Sequence, residues 1–184
     1  VDLFFLGEGE EVDLEIVELY RRYKKEGRSK AEFLRAAAQV EGVYVPSLYE
    51  VSYREDGTVA AVIPKEGAPA QVRKRIVKDM NRAYFPETFV VPYLDIVHDR
   101  AVSEVQRGCY RACRFCQAGF IYRPVRVKEK DVIDQQCRDL CAGTGYDEIS
   151  LSSLSTSDYP DIEGLLDTLL RWTKPERVNV SLPS

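Results

Sequence analysis

The sequence predicts an α/β fold in which parallel strands alternate with helices, and three observations carry that prediction. From residue 101 onward, strand-like and helix-like runs alternate at the lengths of right-handed βαβ units. The composition, 45% apolar and 30% charged over 184 residues, is that of a globular chain with a core to bury. No apolar run approaches the roughly 18 to 20 residues that cross a bilayer, and the start, Val1-Asp2-Leu3-Phe4-Phe5-Leu6, lacks the basic flank of a signal peptide. No membrane partner is expected, and the cytoplasm is the expected compartment.

Residues 1–6 read as a short buried strand. Gly7-Glu8-Gly9-Glu10-Glu11 then turns into a helix on which Val12, Ile16, Leu19, Tyr20 and Tyr23 recur at helical spacing. Acidic residues crowd its first turns and Arg21, Arg22, Lys24 and Lys25 its last, as the helix dipole favours, and Gly27 ends it. Ser29-Lys30-Ala31-Glu32 is a capping box opening a second helix. Residues 49–54 and 58–63 are strands of a hairpin turned through Asp56-Gly57, and 70–80 reads as a short basic helix.

The second half begins with a candidate strand at 101–106, followed directly by a cysteine-bearing loop. An amphipathic helix over 130–142 stops at Gly143-Thr144-Gly145. A strand at 148–152 leads into the polar loop 153–159, then into a helix with Ile162, Leu165, Leu166, Leu169 and Trp172 on one face, then into a strand at 177–182. In a parallel α/β sheet, active residues belong at the C-terminal ends of the strands, where both loops fall. The only methionine is Met80 and the chain opens inside a strand-like run, so it reads as a piece of a longer protein.

Charge is uneven. The net charge is -4, yet residues 100–130 hold eight basic side chains against Glu104 and Glu129, a net +6 that leaves -10 for the rest. These charges read either as a solvated face or as a positive mouth for an anionic ligand.

Three of the five cysteines, Cys109, Cys113 and Cys116, lie in a C-x3-C-x2-C run on a loop that Gly108 allows to turn tightly. Three thiolates so placed can converge on one inorganic centre. A structural zinc site would need a fourth protein ligand, and no second C-x2-C or H-x3-H pair follows. A [4Fe-4S] cluster held by three cysteines leaves one iron open for chemistry. Cys137 and Cys141, four apart on a helix, read as buried small hydrophobes, with a resolving thiol or auxiliary cluster as the other reading. His98, the sole histidine, reads as structural, and Tyr110, Phe120 and Tyr122 as core or loop packing.

At these residues the sequence resembles the radical S-adenosylmethionine (SAM) superfamily, whose signature is this spacing with an aromatic, here Phe115, before the third cysteine. The run Gln106 to Gly119, with His98-Asp99-Arg100 before it, is similar to a B12-binding group within that superfamily, and Val1 to Glu11 is similar to the closing strand and turn of a Rossmann-like B12-binding domain.

The resemblance implies a partial radical SAM (β/α) TIM-like barrel over residues 98–184, an α+β connector over 46–97, and the end of a B12-binding domain over 1–45. It implies that Cys109, Cys113 and Cys116 hold the cluster, that Phe115 lies against the adenine of SAM, and that Ser152, Ser153 and Ser155 contact SAM where the family often has glycines. The cofactors implied are a [4Fe-4S] cluster, S-adenosyl-L-methionine and cobalamin. The partners implied are a small-molecule or RNA substrate and a one-electron donor such as flavodoxin or ferredoxin. An RNA-modifying enzyme such as a methylthiotransferase, and a non-enzymatic iron–sulfur or zinc-stabilised scaffold, stay open as alternatives.

Overall fold

The computed structural model of the protein describes residues 1–184 except Glu66, Glu87, Asp95, Pro183 and Ser184. The chain forms two compact units, Val1–Val77 and Lys78–Ser184.

The first unit is α+β. Strand β1 (Phe4–Phe5) leads to helix α1 (Gly9–Lys25), helix α2 (Lys30–Ala37) and strand β2 (Val43–Tyr44), which pairs antiparallel with β1. Strand β1 is shorter than the six residues expected, and Val1 is 95% exposed. Its partner limits it, because β2 runs into Pro46, which has no N–H for a ladder and starts a short 3₁₀ turn. The capping box forms as expected: Ser29 Oγ accepts from Glu32 N, and Ser29 N donates to Glu32 Oε2 at 2.9 Å. Val12 and Ile16 of α1 bury against Leu34, Ala37, Ala38, Val43 and Val45. The hairpin is also present, as β3 (Tyr49–Tyr53) and β4 (Val59–Pro64), antiparallel about the Asp56-Gly57 turn.

The basic helix expected at 70–80 does not form. An α-helix needs its own N–H groups for bonds to the carbonyl four residues back, and here they go elsewhere. Arg75 N donates to Leu6 O at 2.8 Å and Val77 N to Glu8 Oε2 at 2.5 Å. The Arg75 side chain then reaches Glu11 and Glu15 on α1, at 2.7 and 2.6 Å. Gly7 is required at this crossing: a Cβ there would stand 2.0 Å from Arg75 O.

The second unit carries the parallel sheet. Strands β5 (Ala101–Glu104) and β6 (Gln106–Arg107) are followed by the short helix α3 (Ala118–Ile121), β7 (Arg126–Val127), helix α4 (Lys130–Thr144), β8 (Glu148–Ser152), helix α5 (Ile162–Glu176) and β9 (Asn179–Ser181). The order β5-β8-β9 is parallel throughout, with Val102 beside Ser150 and Ser150 beside Ser181. This is the βαβαβ arrangement the sequence predicts; among the described residues the sheet has three strands and does not close into a barrel. Ala101, Ile149 and Leu151 turn one face of the sheet onto Ile133, Cys137 and Leu140 of α4 and Leu165, Leu169 and Trp172 of α5. Each large apolar side chain so buried contributes about 1.5 to 3 kcal/mol. Gly145, with φ 76°, terminates α4 in the left-handed conformation that glycine adopts freely.

No helix among the described residues is long and apolar enough to cross a membrane.

Candidate functional site

The strand expected over 101–106 breaks at Val105. Its first part, β5, belongs to the parallel sheet, whereas β6 leaves it to pair antiparallel with β7 in a two-residue ladder, Gln106 with Val127 and Arg107 with Arg126. Everything from Gly108 to Val125 is therefore one excursion closed at its base by that ladder. Gly108, at φ 85°, is its tight entry, since a Cβ would lie 2.7 Å from Tyr122 O and 2.9 Å from Pro124 O. Helix α3 rests on the cysteine segment through Gly119, whose Cβ position is 3.4 Å from Cys109 O.

All three cysteines of the motif are on this excursion and none is in a disulfide: Cys109 and Cys116 are half-buried and Cys113 is exposed. Cys116 N donates to Cys113 O at 3.0 Å, a turn that brings the last two close in the chain's path. Among the described residues no three His, Cys, Asp or Glu side chains are grouped to hold a single metal ion. The donor set nonetheless suits an iron–sulfur cluster, in which each thiolate binds an iron of its own. It consists of three free thiols on one loop.

The loop after β8 docks against this excursion. Arg111 forms a two-pronged ion pair with Asp158, in which Nε donates to Oδ2 at 2.6 Å and Nη2 donates to Oδ1. Tyr110 Oη donates to Asp158 O at 3.0 Å. Gln106, only 2% exposed, donates from Nε2 to Ser155 O at 2.6 Å, and Val105 N donates to Ser152 O at 3.0 Å. The Arg111 guanidinium, with help from the Ser155 hydroxyl, holds the Asp158 carboxyl below its ordinary value. The two loops that sequence spacing put at the C-terminal end of the sheet are thus joined by named bonds.

The three serines differ in what they have free. Ser152 ends β8 on the same strand face as Ser150. Ser153 Oγ is hydrogen-bonded to Thr156 Oγ1 at 2.8 Å and accepts from Ser155 N, and Ser155 Oγ donates to Asp158 Oδ2 at 2.8 Å. In this arrangement the hydroxyls of Ser153 and Ser155 shape their own loop. Phe115 is 92% exposed. Tyr110, Phe120 and Tyr122, expected as packing residues, are each more than half exposed; on α3 it is Gly119 that meets the cysteine segment.

Asp158 is the residue that motif reading passes over, as is the bond from Gln106 to the loop after β8. Asp158 is the one acid in the polar loop 153–159 while the cysteine run carries arginines, and that complementarity was the available signal. Beneath the base of the excursion, Lys128 is buried with its Nζ donating to Gln136 Oε1 at 2.8 Å and lying 5.1 Å from the Phe85 ring centre. Burial lowers its pKa. Cys137 is fully buried in the core and its thiol is pushed up to about 12, first by burial, so it behaves as the small hydrophobe expected.

Two family models match the chain. Residues 103–182 match one described as the radical SAM superfamily, and residues 1–46 match one described as the N-terminal part of radical SAM proteins. No curated protein matches.

Proposed function

We propose that this chain, a radical SAM protein by its two matched segments, binds a [4Fe-4S] cluster through Cys109, Cys113 and Cys116 and presents SAM to it at the C-terminal end of the β5-β8-β9 sheet. A cluster and SAM are what the superfamily implies. The observation that carries it is the joining of the cysteine excursion to the loop after β8 through Arg111, Tyr110 and Gln106. When bound, the cluster supplies one electron for reductive cleavage of SAM, the superfamily's route to a carbon radical that takes a hydrogen atom from a substrate.

The chain's own residues orient and screen. Gly108 sets the angle at which the loop leaves the sheet, and Asp158 holds Arg111, which fixes the backbone between Cys109 and Cys113. The arginines of this run offer cations to the carboxylate of SAM. Ser152 and the exposed ring of Phe115 are proposed as the SAM contacts, with Ser153 and Ser155 shaping the loop beside them.

Cobalamin belongs to the same proposal as a further cofactor. It is supported by the likeness of Val1 to Glu11 to the end of a B12-binding domain. A one-electron donor of the flavodoxin or ferredoxin kind would supply the reductant.

The test is iron and sulfide content after anaerobic reconstitution. Cys109→Ser, Cys113→Ser and Cys116→Ser are each expected to lose most of the iron, and Cys137→Ser to keep it. Equal iron in all four variants, or stoichiometric zinc in place of iron, would overturn the assignment.

A further inference from the structure

We propose that the outer surface of the cysteine excursion, residues 107–126, is a docking surface for single-stranded RNA. This deepens the reading above by naming a substrate class for the same site, and rests on that reading only for the step from docking to substrate.

The stretch is strongly basic. Arg107, Arg111, Arg114, Arg123 and Arg126 lie in this stretch with no acidic residue among them, in a chain whose net charge is -4. Clustered arginines of this kind attract phosphates locally even where the whole molecule would repel them. Arg107 and Arg111 have acidic neighbours, Glu104 and Asp158. Arg114 is exposed and has no ion-pair partner among the described residues.

Aromatic rings supply the second part. Tyr110, Phe120 and Tyr122 are interspersed among those arginines and all three are more than half exposed. They are carried on one excursion, closed at its base by the β6-β7 ladder and packed internally where Gly119 meets the Cys109 and Ala112 backbone. The Arg123 guanidinium stands 5.3 Å from the Phe120 ring centre, a pair that presents a cation and a π-face together. Rings interleaved with arginines are what unpaired bases and their phosphates require: every base has a face to stack, and each phosphate a cation to meet. A duplex hides those faces, which points to single-stranded or looped RNA. An acidic protein would match the charge equally, but its anchors prefer enclosed apolar pockets. Ile121 is the one exposed large aliphatic side chain in the stretch.

The experiment is fluorescence anisotropy of the cluster-loaded chain with a labelled 20-nucleotide RNA of mixed sequence and, in parallel, a labelled polyglutamate peptide. The expected result is RNA binding that weakens with salt. The double variant Arg114→Gln, Arg123→Gln is expected to reduce the log–log salt slope by about 1.4, the share of two phosphate contacts on a single strand. The double variant Phe120→Leu, Tyr122→Leu is expected to weaken RNA about tenfold with its slope unchanged and to leave polyglutamate unaffected. Lys24→Gln with Lys25→Gln on α1 is expected to change neither. Photocrosslinking of the unmodified chain reads the same surface without a variant, with adducts expected within residues 107–126.

Absence of RNA binding at low salt, adducts confined to the first unit, or polyglutamate bound as tightly as RNA with the ring variants neutral would each overturn the proposal. The last would mark an acidic protein partner instead. Iron content and SAM response, read on the same samples, keep a failure of RNA docking separate from a failure of the cluster assignment.

Discussion

Gly108 is held at φ 85°, and a Cβ there would stand within 3.0 Å of Tyr122 O, Pro124 O and Val125 Cα, all of them backbone. Backbone cannot swing aside as the end of a flexible side chain can. Gly108→Ala therefore combines a left-handed conformation with a clash, at a cost of about 1 to 3 kcal/mol. Because the residue borders Cys109, the strain falls on the excursion and not on the α4-α5 core. The expected outcome is a chain that keeps its helical circular dichroism but takes up less iron than wild type on reconstitution. A variant with wild-type iron uptake would show that the entry geometry is not needed. The glycine's role was legible in sequence as a tight turn before a cysteine; which backbone groups it meets was not, because Tyr122 and Pro124 return to it only through the β6-β7 ladder.

Between elements, the contact to test is the pairing of the cysteine excursion with the loop after β8. Arg111 keeps the Asp158 carboxyl ionised below its ordinary value of 3.8. A carboxyl with a depressed folded-state pKa contributes stability above its unfolded value and loses it as pH falls through the folded one. The urea midpoint of wild type is therefore expected to exceed that of Asp158→Asn at pH 6, and the gap to close as pH drops below about 3.8. A gap that does not change with pH would remove the ion pair as the link. This contact explains what sequence shows and conceals. Periodicity and caps gave α1, α2, α4, α5 and the Asp56-Gly57 hairpin, since those signals are local. Where backbone N–H groups go to distant partners, as at Arg75 and Val77, local propensity for a helix at 70–80 is overridden. The ring positions 110, 120 and 122 lie in a loop and a four-residue helix, where no periodicity distinguishes a core aromatic from an exposed one.

At the scale of the whole molecule, a three-stranded parallel sheet backed by α4 and α5 carries the cysteine motif at the C-terminal end of its strands, and a separate α+β unit precedes it. The cysteine spacing was readable from sequence, and so was the parallel alternation that puts both loops at one end. The joining of those loops through Asp158 and Gln106 was not, because it depends on side chains 47 to 49 residues apart. The central claim is that this end of the sheet binds a cluster with an iron open to SAM. The measurement that tests it most directly is the electron paramagnetic resonance spectrum of the dithionite-reduced, anaerobically reconstituted chain with and without SAM. A reduced-cluster signal that shifts when SAM is added is the result predicted here. A cluster signal identical in the presence and absence of SAM would contradict it.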